Sequence, residues 1–202
     1  MLSNIRRRLA DYTVRQLMVR VAEEYLWWLI RSLPGFGGVW LRYLFLKICT
    51  KRLDGFCWIS QGCHFVNTYN LSVGTGFAVN RNVLLDAVGG IEIGDRTGIG
   101  PNTVLIAQEH NMLTKDYVSE TAHRLRPIRL GSGVWIGSNC FVKAGVTIGD
   151  RAVVGACSAV LTDVPPDGRV VGSPARSYTG AMRDLLRERR VLAESRPRAE
   201  MD

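Results

Sequence analysis

The sequence predicts a mainly-β chain wound into a solenoid of hexapeptide repeats, with a helical segment before it and a short helix after it. Three observations carry this. Between Val73 and Val160 a branched aliphatic residue returns every six positions, usually followed by Gly. The phrase IEIGDRTGIGPN at 91–102 returns as VWIGSN at 134–139 and VTIGDR at 146–151. A period of six is neither the 3.6 of a helix nor the 2 of a strand, but it fits a triangular coil of three short strands, six residues to a side.

The repeat assigns three inward columns. Val73, Ile93, Leu130 and Ile148 form the first, and Val79, Ile99, Ile136 and Val154 the second. Leu85, Leu105, Val142 and Val160 form the third. Equivalent residues in successive coils stack about 4.8 Å apart. The glycines that follow (Gly74, Gly94, Gly100, Gly131, Gly137, Gly149, Gly155) are expected to turn the corners at unusual φ. Asn80, Asp86 and Lys143 replace Gly there. Small residues such as Thr97, Thr103, Ala152 and Ser158 fill the tight parts of the prism.

Two breaks interrupt the rhythm. A small bulge falls at Ala87–Gly90, and Leu105 is twenty-five residues from Leu130. A long insertion in a regular solenoid usually belongs to the functional face. Earlier turns are expected near Ile59 and Val66. The organisation is thus 1–57, a basic amphipathic helical segment; 58–175, the repeats with a loop at 106–129; and 176–202, a charged tail with a helix at Ala181–Leu192.

In the first segment Val14, Leu17, Met18, Val21, Tyr25 and Trp28 recur at helical spacing, with Arg15, Arg20, Glu23 and Arg31 largely opposite. Pro34-Gly35 ends this helix, and Val39–Cys49 is a second apolar run. Such a helix lies on a membrane interface or packs on the solenoid or on a neighbouring subunit; Trp27, Trp28 and Trp40 suit both. Because the columns begin near Ile59, this segment is expected to be separable.

The formal net charge is +8, and residues 1–58 carry ten Lys or Arg against four Asp or Glu. The basic residues are interleaved with apolar ones rather than exposed as a stripe, which speaks against nucleic acid. No membrane span and no secretory signal are recognisable. Five scattered cysteines without C-x-x-C spacing point to reduced packing residues in a cytoplasmic protein and to no zinc site.

Of three histidines (His64, His110, His123), His110 stands where a coil gives way to the long loop. An imidazole, with an ordinary pKa of about 6.5, can take the proton of an attacking hydroxyl.

The stretch Asn80…Asp86…IEIGDRTGIGPNTVLI…His110, continued by the run from Trp135 to Arg176 that ends in GSPAR, resembles the hexapeptide-repeat acetyltransferases. The likeness is to the branch with maltose, galactoside, nodulation-factor and surface-polysaccharide enzymes. The resemblance implies a left-handed parallel β-helix, a homotrimer with sites between subunits, and transfer from acetyl-CoA to a hydroxyl of a sugar or glycan. His110 matches the catalytic base. Asn80 matches an acceptor-site Asn within the N-x-N-x-x-x-D pattern that ends at Asp86, and Trp135 is expected beneath the active-site loop. Ser138 and Ala156 match pantetheine contacts, Gly145 a glycine along the same groove, and Arg176 a basic residue near the nucleotide phosphates. Leu161-Thr162 departs from the family's Thr-Lys, so Arg169, Arg183 or Arg187 would supply the missing phosphate contact. An N-acetyltransferase, a serine-type enzyme or a non-catalytic scaffold are the alternatives on this fold. A peripheral place at the inner face of the membrane, through residues 1–50, is compatible with all of them.

Overall fold

The computed structural model of the chain describes residues 12–110 and 124–178. His123, most of the long loop, and the helix expected at Ala181–Leu192 lie outside these residues.

Three parallel faces form a prism. The first stacks strands Arg52–Leu53, Leu71–Val73, Ile91–Ile93, Ile128–Leu130 and Thr147–Ile148. The second runs from Trp58–Ile59 to Arg169–Val171 and is closed by an antiparallel strand, Arg176–Ser177. The third runs from His64–Val66 to Ala159–Val160. The register places Val73 beside Ile93, Ile93 beside Leu130 and Leu130 beside Ile148. Val79–Ile99–Ile136–Val154 and Leu85–Leu105–Val142–Val160 stack likewise. All twelve residues are buried, and each contributes about 1.5–3 kcal/mol of transfer free energy.

The columns start at Leu53, six residues before the turn expected near Ile59. Leu53, Ile59 and Phe65 are buried and pair with Val73, Val79 and Leu85. Phe65, not Val66, points inward, so the six-residue spacing holds here too. An aromatic residue in the column and the absence of Gly after it hide this coil from a pattern of Val, Ile and Gly.

The glycines act differently from expectation. None of Gly74, Gly94, Gly100, Gly131, Gly137, Gly149 or Gly155 has positive φ. The left-handed residue falls three places after the inward one, at Arg96, Asn102, Asn139, Arg151 and Cys157 among others. Glycine is needed earlier because the coils touch there: a Cβ on Gly94 would lie 2.6 Å from the backbone of Gly131, and one on Gly137 2.6 Å from the Ala156 amide. The buried hydroxyls are satisfied. Thr97 and Thr103 donate to the carbonyls of Gly131 and Gly137, each at 2.8 Å.

The helical segment belongs to the same core. Helix α1 (Val14–Ala22) opens with a capping box between Thr13 and Gln16. It continues through a π-helical turn, Glu23–Trp27, and α2 (Trp28–Ile30); α3 spans Gly35–Cys49. Trp27 is buried against Phe45 and Phe65 at ring separations of 5.1 and 5.2 Å, and its Nε1 donates to the Cys63 carbonyl. Leu46 is buried in the cluster that continues into the coils. The segment therefore caps the open end of the first coil and shares its core.

The predicted apolar stripe faces outward. Val14, Met18, Val21, Tyr25 and Trp28 are exposed. The helix turns Arg20 and Glu23 to the solenoid instead, because the turn at Asn67 and Thr68 presents free N–H groups that a carboxylate can satisfy.

Candidate active site

Two corners of the prism carry the residues of interest. One follows the third column and the other follows the second.

At the first of these, the long loop leaves and returns as a two-stranded antiparallel ribbon, with Gln108 opposite Leu125 and Glu109 opposite Arg124. His110 is the next residue, and it is exposed. The Glu109 carboxylate ties the ribbon to the coils. Lys143 Nζ lies 3.2 Å from its Oε2, and Arg126 Nε 3.7 Å from its Oε1. Gly145 sits at the same corner with φ +84°, where a Cβ would meet the Arg126 side chain at 3.1 Å. A residue other than glycine would be strained there and would push on the base of the loop.

Beside the ribbon is a polar cleft of about 610 Å³, lined by Tyr12, Arg20, Asn67, Tyr69, Asp86 and Gln108 among others. Asp86 accepts from Asn67 Nδ2 at 2.7 Å, from the Val88 amide at 3.1 Å and from Gln108 Nε2 at 3.3 Å. Tyr69 donates to Asn67 Oδ1 at 2.9 Å, and burial pushes its phenol pKa up to about 12. Arg20 Nη1 reaches the same Asn67 oxygen and the Tyr12 hydroxyl. The cleft thus offers acid, amide, phenol and guanidinium groups together, the mixture that recognises a polyhydroxylated molecule. Apart from Asp86, sequence reading missed all of these. Asn67 and Tyr69 come from the coil before the recognised repeat, Tyr12 and Arg20 from the N-terminal helical segment, and Gln108 from the base of the long loop.

The second corner carries Asn80, one place after Val79, and Ser138 and Ala156, two places after Ile136 and Val154. Asn80 is exposed, and its Nδ2 donates to the Ile99 carbonyl at 3.4 Å. Asn80 and Asp86, joined in one sequence pattern, therefore stand on different corners of a single protomer. So do Ser138 and Gly145. Trp135 lies outward on the second face with its ring over Gly98, where a Cβ would come within 2.7 Å of it. The part of the loop it was expected to underlie is outside the described residues. Arg176 is exposed in the last strand of that face.

The cysteines hold no reactive pair. Burial pushes the thiols of Cys49 and Cys63 up to about 11 and that of Cys57 up to about 12. Cys157 departs from the buried role expected of it and is exposed at a left-handed corner. Among the described residues no group of three His, Cys, Asp or Glu is placed to hold a metal ion.

Comparison with known proteins matches this architecture. Residues 127–162 fit the profile of the family described as bacterial transferase hexapeptide (six repeats). Galactoside O-acetyltransferase of Escherichia coli is 34% identical over 59% of this chain and 58% of its own length. That second share means that the chain spans little more than half of that relative. Nodulation protein L of Rhizobium meliloti is 42% identical over 66% of this chain and 73% of its own. A solved galactoside acetyltransferase in complex with coenzyme A is 28% identical. It superposes with a TM-score of 0.74 over 84% of both chains. The chain belongs to the hexapeptide-repeat acetyltransferase family.

Proposed function

We propose that the protein is a CoA-dependent O-acetyltransferase that moves acetyl from acetyl-CoA to a hydroxyl of a sugar or glycan, such as a surface polysaccharide. The observation that carries this reading is the division of the family-matched residues between two corners. His110, Asp86 and Gly145 occupy one; Asn80, Ser138 and Ala156 occupy the other. A closed homotrimer brings the first corner of one protomer to the second corner of the next, and the cosubstrate groove then lies between subunits.

In that groove Ser138, Ala156 and Gly145 flank the pantetheine, and Arg176 faces the nucleotide phosphates, where a guanidinium suits phosphate oxygens. Asn80, Asp86 and Trp135 serve the acceptor. His110 accepts the acceptor's hydroxyl proton as its oxygen attacks the thioester carbonyl, and the C–S bond then breaks to release CoA as its thiol. Backbone N–H groups stabilise the oxyanion. No covalent enzyme intermediate is required.

The outward stripe of Val14, Met18, Val21, Tyr25 and Trp28 supports a peripheral contact of residues 1–50 with an anionic membrane surface, on the cytoplasmic side. No helix among the described residues is long and apolar enough to cross a membrane. Sedimentation with anionic vesicles that weakens with salt checks this contact.

The transferase reading is tested by mass spectrometry of glycans from cells with and without the gene, together with calorimetry of acetyl-CoA on the purified protein. Loss of the mass of one acetyl group from one glycan class is the expected result. Unchanged glycans and no acetyl-CoA binding would leave a scaffold.

A further inference from the structure

The corner that carries Asn80, Ser138 and Ala156 continues toward the N-terminal end of the prism. Trp58 and Ile59 pair with Ala78 and Val79, so Ser60 and Gln61 occupy the corner positions next to Asn80 and Arg81. There the corner meets helix α3 and opens into a pocket of about 320 Å³, lined by Phe36, Arg42, Trp58, Ser60, Gln61 and Arg81 among others.

Arg42 is 1% exposed. Its Nε donates to the Ile59 carbonyl at 3.0 Å, and Nη1 to those of Ile30 and Leu33 at 3.0 and 2.8 Å. A Cβ on Gly38 would collide with the Leu33 carbonyl, so glycine there allows this arrangement. Nη2 has no hydrogen bond, and no fully enclosed side-chain nitrogen or oxygen among the described residues lacks a partner. Nη2 is therefore the atom open to the pocket. Among the described residues neither Arg42 nor Arg81 forms an ion pair. Arg42 is held by backbone carbonyls, that of Arg31 at 3.4 Å included, and by no carboxylate, so its positive charge is not neutralised and favours an anion at Nη2.

The pocket shares Phe36, Val39 and Trp58 with an apolar groove of about 390 Å³, which adds Trp40 and Phe56. Its walls are set by ring contacts, Phe36 edge-on to Trp58 at 5.7 Å and Trp40 stacked on Phe56 at 6.3 Å. A free phosphate would leave this groove empty. A neutral hydrocarbon would leave the charges of Arg42 and Arg81 without a counter-ion.

We infer that this end of the corner binds a lipid phosphate, with the anion on Arg42 and Arg81 and the hydrocarbon chain along Phe36, Trp40, Phe56 and Trp58. The inference rests on the transferase reading, and it makes the acceptor a glycan carried on a lipid phosphate. The phosphate would lie one coil from Asn80, with the sugar directed toward that residue.

Dodecyl phosphate, kept below its micelle concentration, serves as the probe. It is titrated onto the full chain and followed by tryptophan fluorescence. Saturable binding is expected, weakened about tenfold or more by Arg81→Ala. Phe36→Ser, a change at an 80% exposed side chain, should weaken it as well. Inorganic phosphate and dodecyl maltoside should bind far more weakly. Equal binding of dodecyl maltoside would mean general detergent adsorption, and equal binding of inorganic phosphate a plain anion site; either overturns the inference. So does an affinity unchanged in both variants. Acetyl-CoA is titrated onto the same samples. Intact acetyl-CoA binding without lipid-phosphate binding overturns this inference alone, whereas absence of acetyl-CoA binding counts against the transferase reading.

Discussion

Lys143 Nζ reaches the Glu109 carboxylate at 3.2 Å and so fastens the base of the long loop to the neighbouring coil, one residue before His110. The pair is partly exposed, with side-chain exposures of 42% and 22%, so its contribution to stability is at most about 1 kcal/mol. Its effect on geometry is larger, since a misplacement of about 1 Å at a reacting group can lower a rate about 100-fold.

Lys143→Met should therefore lower kcat by about tenfold or more while the unfolding midpoint moves little. His110→Ala should lower kcat by about 10²–10⁴-fold, with acetyl-CoA affinity nearly unchanged, because the imidazole meets the acceptor. Steady-state kinetics beside calorimetry separates these effects. Full turnover in His110→Ala would remove this residue from the chemistry.

Glu23 makes the second long-range clasp. Its carboxylate accepts from the Asn67 amide at 2.9 Å and from the Thr68 amide and hydroxyl, each at 2.6 Å. Glu23→Ala leaves these donors unpaired beneath the helix and should destabilise the chain by about 2–3 kcal/mol. Urea unfolding measures it. A loss below about 0.5 kcal/mol would mean that the helix is held by its other contacts, such as buried Val19 and Trp27 and the Arg20–Asn67 bond.

The thiols give a chemical check on the burial of the coils. Cys49, Cys57, Cys63 and Cys140 are buried with raised pKa values, and Cys157 is exposed. At neutral pH a thiol reagent should modify Cys157 alone in the folded protein and all five cysteines in urea. Fast modification of Cys57 would contradict the close packing of the first coil.

The inner columns were legible because a solenoid imposes one spacing on every coil, and the spacing survives in the sequence as Val73, Ile93, Leu130 and Ile148. The role of the following glycines was not. Flanking residues suggest a turn, but only the distance from Gly94 to the next coil shows that the missing Cβ matters for coil contact. The first coil was only partly legible: a turn near Ile59 was expected, but Leu53 and the inward place of Phe65 were missed because no glycine follows these residues. The sequence left the direction of the helix's apolar face open, because hydrophobicity marks which side avoids water and says nothing of which neighbour covers it. Glu23 turns inward because of Thr68, a contact no local pattern encodes. His110 was legible by its place at the break in the rhythm. Its support through Glu109 and Lys143 was not, since the pair joins two separate coils.

The central claim is a site assembled from the His110 corner of one protomer and the Asn80 corner of the next, and subunit mixing tests it most directly. His110→Ala and Asn80→Ala proteins, each nearly inactive, are unfolded together in equal amounts, refolded, and assayed for CoA release with an acceptor that the unmodified protein uses. Random trimers place an intact His110 against an intact Asn80 at about a quarter of interfaces, so about a quarter of the unmodified activity should return. A mixture no more active than its two components would place both residues in one protomer's site and contradict the account.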